Sequence, residues 1–180
     1  SVRRYLWEKI EEWQWRKQGS AMERALAGYD FSAGFDSALE RMADNEIETM
    51  VLHEIGEAMA GELLGESWGE MTVALTRTRG EAIARALRDL LADCISTLPA
   101  LLARANLPAL HFHFATFDAP RRQMFPQALA AYEEFSRSGD PRRLRQAAED
   151  GKERWLATAR RLLSLAPAER GAALLALSGD

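Results

Sequence analysis

The segment at positions 53–57, with the sequence H-E-I-G-E, places metal-ligating residue types at a spacing that suits a helix. Residues four apart lie on one face of an α-helix, one turn from each other, so His53 and Glu57 can point in the same direction. Glu46 lies seven residues before His53 and falls on the same face. An imidazole and two carboxylates arranged in this way suit a divalent ion such as Zn, Fe or Mn.

This spacing differs from the familiar helical metal motifs. The zinc-protease motif H-E-x-x-H requires a second histidine where this chain has Glu57. The Glu-x-x-His pairs of di-iron bundles require a glutamate where it has Met50. A single helix therefore supplies only part of a site, and further ligands must come from elsewhere in the chain.

His111 and His113, together with His53, are the three histidines of the chain. They share a face if their segment is extended, but diverge by about 200° if it is helical. Both alternatives stay open at this point. The full set of predicted metal ligands is His53, Glu57, Glu46, His111 and His113. We expect Glu54 to act as the general base for a metal-bound water, although no substrate follows from the residues.

Asp89 and Asp93 are four residues apart on the following helix and form a second acidic pair. They lie opposite its Leu/Ile stripe, so solvent exposure is their simplest interpretation. The small neighbours Ala82 and Ala86 would allow a second helix to pack closely there. The sequence leaves open whether these aspartates join the site.

The charge of the chain is unevenly distributed. No Lys or Arg lies between Arg41 and Arg77, and that interval holds eight acidic residues, whereas the whole chain has a net charge of −4. Buried carboxylates need metal ions, protons or basic partners, because an unpaired buried charge is costly. The alternative hypothesis is therefore a non-enzymatic interaction or regulatory module in which internal arginines neutralise an acidic central helix. The sequence does not decide whether the chain is an enzyme.

The elements that must position these residues are helices, because helical periodicity dominates nearly the whole chain. We predict one all-α domain over residues 1–180, a bundle of about six or seven helices. Asn45 is expected to cap a helix from Glu46 to Leu64 that is apolar on almost every side and therefore central. A second central helix should span Gly80–Leu98, with Cys94 as a core residue on its apolar stripe.

Several classes of protein are excluded by composition. The longest stretch without charge is 13 residues, from Ala105 to Phe117, whereas a membrane helix needs about 18. The negative net charge argues against a nucleic-acid binder. A single cysteine fits a reducing compartment, so we predict a cytoplasmic protein. Its aromatic-rich first helix is compatible with homo-oligomer formation.

Overall fold

The structure is a computed structural model that describes residues 1–13 and 19–179. These residues form helices and no strand, which confirms the all-α prediction, and the helices outnumber the six or seven expected. The elements follow one another as α1 (Val2–Trp13), α2 (Ala21–Ala27), α3 (Phe35–Leu64), α4 (Glu66–Ala74), α5 (Arg79–Ala92), a π-turn (Asp93–Thr97), α6 (Leu98–Ala103), α7 (Leu107–Ala115), α8 (Ala119–Met124), α9 (Pro126–Ser138), α10 (Arg142–Ser164), α11 (Pro167–Leu175) and a 3₁₀ turn (Ala176–Ser178).

The chain divides into two compact units. The first unit consists of Ser1–Leu52 and Ala100–Phe117, and the second of His53–Pro99 and Asp118–Asp180. Helix α3 contributes to both units, with the division after Leu52. The single domain over residues 1–180 stays a prediction, as do the cytoplasmic location and the homo-oligomer. None of the described helices is both long enough and apolar enough to cross a membrane.

The first unit is built around a core supplied by α1, α2, α7 and the first part of α3. Its buried residues include Leu6, Leu26, Met42 and Phe112. Helices α2 and α7 approach closely at Gly28, where an added Cβ would lie 2.3 Å from Cγ of Pro108. The lack of a side chain at this position therefore allows the two helices to pack.

The second unit has α5 at its centre, packed against α10 and α11. Trp155 of α10 is fully buried and meets the ring of Phe125 edge to face, with 5.5 Å between ring centroids. Cys94 is 3% exposed, which confirms it as a core residue. Burial also raises the pKa of its thiol, so it remains protonated and unreactive.

Helix α3 is 30 residues long and begins at Phe35, well before the start of the Glu46–Leu64 helix that a cap at Asn45 predicts. The Asn45 side chain does not cap a helix; its Nδ2 donates a hydrogen bond to the Tyr29 hydroxyl at 2.8 Å. Its Oδ1 atom, the acceptor that would cap the start of a helix, accepts from Nδ2 of Asn106 at 3.3 Å, so tertiary contacts occupy both polar groups of the amide.

The central position predicted for the Glu46–Leu64 segment is wrong for one of its faces. Six large apolar side chains of α3 are between 40% and 52% exposed: Ile47, Met50, Val51, Ile55, Met59 and Leu63. The buried face includes small residues, Gly56 and Ala60 among them. Small residues let another helix approach closely, and a helix that is apolar all round carries no signal of which face will be covered.

The predicted Gly80–Leu98 helix is observed as α5, the π-turn and α6, which follow one another without a break. It continues through Pro99 to Ala103, beyond the predicted end at Leu98. Proline cannot donate the hydrogen bond that continues an α-helix, and a π-turn is one way to accommodate such a local irregularity. The π-turn begins at Asp93.

Candidate metal centre

The centre of the candidate site is a hydrogen bond between α3 and the π-turn within the second unit. His53 Nδ1–H donates to Asp93 Oδ1 at 2.9 Å. Asp93 is only 1% exposed, and its other oxygen, Oδ2, accepts from Nη1 of Arg121 at 3.4 Å. A buried carboxylate is thus held between an imidazole and a guanidinium, which compensate its loss of hydration.

The bond to Asp93 also sets the protonation of His53. It raises the pKa of the imidazole, and this effect exceeds the opposing effect of burial. The neighbouring charges of Asp93, Asp89 and Glu57 act in the same direction. Because Nδ1 carries the donated hydrogen, Nε2 is the nitrogen whose lone pair becomes available when the ring is neutral.

Gly56 explains why α3 can bring His53 so close to the π-turn. A Cβ atom added at Gly56 would lie 2.5 Å from the carbonyl oxygen of Ala92, the residue directly before Asp93. No real Cβ approaches a backbone oxygen this closely, so the two backbones can meet only at a residue without a side chain. The local sequence therefore builds the His53–Asp93 contact through a close approach of helices.

Two more carboxylates, those of Glu57 and Asp89, lie close to the His53 ring. Glu57 Oε1 lies 3.7 Å from His53 Nε2. One ligand atom each from His53, Glu57 and Asp89 falls within 4.8 Å of the other two. Burial raises the pKa of Asp89 to about 6, and the nearby Glu57 carboxylate adds to this, whereas His53 and Arg121 act in the opposite direction.

Arginines balance most of this negative charge. Arg88 Nη2 donates to Glu57 Oε1 at 2.7 Å, and Arg121 contacts Asp93 as described above. The cluster thus holds three carboxylates, two guanidiniums and one imidazole. When His53 is neutral the carboxylates outnumber the guanidiniums, and Arg121 also lies 3.5 Å from Asp118 Oδ1, so the cluster can take up a proton or a cation.

The sequence-predicted ligands do not all meet here. His53 and Glu57 converge, but Glu54 is exposed and lies outside the cluster. Glu46, His111 and His113 belong to the first unit. Glu46 is 4% exposed, and its Oε1 atom has no hydrogen-bond partner among the described residues.

The two other histidines lie on α7, so the extended alternative for their segment is wrong. On a helix they point in different directions, as the second alternative stated. His111 is half-buried, whereas His113 is buried beside the rings of Phe114 and Phe117, with ring centroids 5.6 Å and 5.1 Å away. His113 therefore sits in aromatic surroundings.

The residues that complete the cluster, Asp89, Asp93, Arg88 and Arg121, were not among the predicted ligands. Solvent exposure was the simplest interpretation for Asp89 and Asp93, and it is wrong, because Asp93 is buried and Asp89 half-buried. The small residues beside them were the signal that another helix packs there. Nothing in the local sequence singled out Arg88 or Arg121 from the other arginines.

Comparison with known proteins gives a family but no activity. No curated protein and no solved structure matches the chain. One family model matches residues 3–178, and it is described as the C-terminal domain of DUF6866, a family of unknown function. This match spans nearly the whole chain, which therefore belongs to the DUF6866 family as a copy of its C-terminal domain.

Proposed function

We propose that the second unit binds one divalent metal ion at His53, Glu57 and Asp89. The observation that carries the proposal is the hydrogen bond from His53 Nδ1 to the buried Asp93. Metal-binding histidines commonly donate their other ring nitrogen to a carboxylate, which fixes the tautomer and aims the lone pair of the ligating nitrogen. Here that nitrogen is Nε2, and it faces Glu57.

The chemistry of the three ligands supports Zn, Fe or Mn. One imidazole nitrogen and two carboxylate oxygens suit these ions better than Cu(I) or an iron–sulfur cluster, which prefer thiolates. Three protein ligands also leave coordination positions for water. Glu54 is not part of this proposal, because it is exposed and outside the cluster.

The ion pair between Arg88 and Glu57 is compatible with coordination. A carboxylate has two oxygens and about four lone-pair sites, so Glu57 can accept from Arg88 and still bind an ion. Arg88 nevertheless competes for the same negative charge. Removing its charge should therefore strengthen metal binding, whereas it should only weaken a purely structural ion-pair network.

The first experiment is elemental analysis of the chain purified without a metal-affinity step, with a thermal melt in the presence of added Zn, Mn or Fe(II). We expect about one ion per chain and a rise in melting temperature. An ion present at 100 times its Kd would stabilise the folded chain by about 2.7 kcal/mol. Both effects should disappear in the double variant His53→Ala, Glu57→Ala.

The matched control is the double variant Glu54→Ala, Glu62→Ala, which removes two exposed carboxylates from the same helix. We expect it to keep the ion and the melting shift. Equal loss in both double variants would indicate non-specific attraction to an acidic helix and contradict the proposal. A native chain that contains no metal and does not respond to added ions would also contradict it.

The arrangement of the arginines favours a second candidate function, a non-enzymatic interaction module. The contacts of Arg88 with Glu57 and of Arg121 with Asp93 are those expected if internal arginines neutralise the acidic helix. The variant Arg88→Gln separates the two candidates. Tighter metal binding in this variant supports the metal site, whereas loss of stability without any metal binding supports the interaction module.

A further inference from the structure

A groove runs between α9 and α10, and none of the residues that line it belongs to the candidate metal site. The two helices are joined by a short turn in which Gly139 adopts a left-handed conformation, with φ of +72°. The groove has a volume of about 620 Å³. Pockets for small organic molecules usually have volumes of about 300–1,000 Å³, so this groove is large enough for one.

The floor of the groove is made of small residues, Ala130 and Ala131 on α9 and Ala147 and Gly151 on α10. Gly151 has no space for a side chain, since a Cβ atom there would lie 2.6 Å from Sγ of Cys94. The floor is therefore packed from below, and the short side chains leave room above it. A ligand that lies here would contact mainly methyl groups and backbone.

The charged side chains that line the groove form its rim and are three arginines and two carboxylates: Arg137, Arg143, Arg154, Glu134 and Asp150. Nε of Arg137 donates to the carbonyl oxygen of Glu133 on its own helix, at 3.2 Å. Arg143 forms an ion pair with Glu134. Arg143 and Arg154 are eleven residues apart on α10, which corresponds to about 16 Å along the helix axis.

Arg154 is held in place without an acidic partner. Its Nη1 atom donates to Gln127 Oε1 at 3.1 Å, and its guanidinium lies 4.6 Å from the ring centroid of Trp155. In the part of the chain that the structure describes, neither Arg137 nor Arg154 forms an ion pair with a carboxylate. Two positive charges at the rim are thus available to an external anion.

We propose that the groove between α9 and α10 binds an organic anion: its anionic group pairs with the rim arginines and its apolar body lies on the alanine and glycine floor. The arginines select the charge, since a guanidinium donates two parallel hydrogen bonds to a carboxylate or a phosphate. The floor selects against small inorganic anions, because these cannot bury apolar surface there. This site is independent of the proposed metal centre.

The test uses 1-naphthyl phosphate as the probe, in isothermal titration calorimetry with the native chain. Inorganic phosphate and 1-naphthol serve as the two halves of the probe. We expect 1-naphthyl phosphate to bind at least tenfold more tightly than either half. Binding no tighter than that of inorganic phosphate would overturn the proposal.

Two groove variants locate the binding. Ala130→Leu fills the floor at an exposed position, and the double variant Arg137→Gln, Arg154→Gln removes the rim charges without touching the core. We expect each to weaken binding of 1-naphthyl phosphate at least fivefold, while circular dichroism shows an unchanged helix content. An unchanged Kd in either variant would overturn the proposal.

The matched control is the double variant Arg160→Gln, Arg161→Gln. These two arginines are exposed on the same helix, but they do not line the groove. We expect the Kd of 1-naphthyl phosphate to stay within twofold of the native value. An equal loss in the control and in the Arg137→Gln, Arg154→Gln variant would show general attraction to a basic helix and overturn the proposal.

Discussion

The two units each bury a carboxylate, but they compensate it differently. In the second unit Asp93 is 1% exposed and contacts the imidazole of His53 and the guanidinium of Arg121. In the first unit Glu46 is 4% exposed, and its Oε1 atom has no hydrogen-bond partner among the described residues. Burial raises the pKa of Glu46 to about 8.

The difference shows two ways of removing the cost of a buried negative charge. Cationic partners are fixed beside Asp93, whereas burial raises the pKa of Glu46 to about 8, so that Glu46 holds a proton at pH 7. Only the arrangement around Asp93 holds charged groups in fixed orientations, which is what the proposed metal centre requires. Substitutions in either unit test this contrast.

Removal of the Asp93 carboxylate should be strongly destabilising. Asp93→Ala leaves His53 and Arg121 partly buried without their common counter-charge, and breaking a buried pair in this way costs about 3–5 kcal/mol. The free energy of unfolding in urea at pH 7 measures the loss. The control Glu8→Ala removes a carboxylate from an exposed pair with Arg4 and should change the stability little. A similarly small change for Asp93→Ala would remove the contrast between paired and unpaired carboxylates.

Neutralising Glu46 should have the opposite sign. Its pKa is about 8 in the folded chain, against an ordinary value of 4.5, so the folded state holds the extra proton and stability falls as pH rises from 4.5 to 8. Glu46→Gln removes this dependence and should stabilise the chain at pH 7 by roughly 3 kcal/mol, which is the 2.5 pH units above 4.5 at 1.36 kcal/mol each. Urea unfolding of both proteins at pH 4.5 and pH 8 should show the difference growing with pH. A constant difference would mean that Glu46 does not titrate in this range.

A methyl group at Gly56 should destabilise the contact between α3 and the backbone next to Asp93, whereas a methyl group elsewhere on α3 should not. Gly56→Ala forces a contact with the Ala92 backbone and should destabilise by about 1–3 kcal/mol. Gly61→Ala, on the same helix, meets nothing within 4 Å and should instead stabilise by about 0.5–1 kcal/mol through higher helix propensity. Thermal melts of the two variants provide the comparison. If both variants were stabilised, the close approach of α3 to the π-turn would not exist in solution.

The pair of His53 and Asp93 should also be visible in the titration of His53, where the expected change in stability is the smallest of the four. The pKa of His53 is raised, so the stabilisation by Asp93 is fully present below the ordinary imidazole value of 6.5 and is lost as pH rises through the folded-state value. NMR titration of the imidazole should give a pKa above 6.5 in the native chain. The value should fall in Asp93→Asn, which keeps the shape but not the charge. An unchanged value would show that Asp93 does not control this histidine.

The two predicted central helices show which helix ends can be predicted from the spacing of apolar residues and which cannot. The spacing of apolar residues predicted both helices within a few residues at most ends, because amphipathic patterning is a local property. The beginning of α3 was missed because Asn45 resembles a cap, yet its amide bonds to Tyr29. That contact joins residues 16 positions apart, so no local pattern contains it.

The contacts of the candidate site also fall into two groups, those that local spacing predicts and those that depend on tertiary packing. His53 and Glu57 could be paired from the sequence, because four residues correspond to about one helical turn. Asp93 lies 40 residues from His53, and Arg88 lies 31 residues from Glu57, so these partners depend on how α3 and α5 pack. The predicted ligands Glu46, His111 and His113 have suitable chemistry, but they lie in the first unit.

Three properties could be predicted from the sequence alone: the helical class, the i,i+4 pair of His53 and Glu57, and the excess of acidic residues along α3. These properties follow from composition and from the period of the helix, which any window of the chain displays. Only tertiary packing places an imidazole and a guanidinium beside Asp93 and, within residues 1–13 and 19–179, leaves Glu46 without a cation. That outcome depends on burial and on cations brought from distant positions, and a glycine at position 56 allows the approach that puts them within hydrogen-bonding distance.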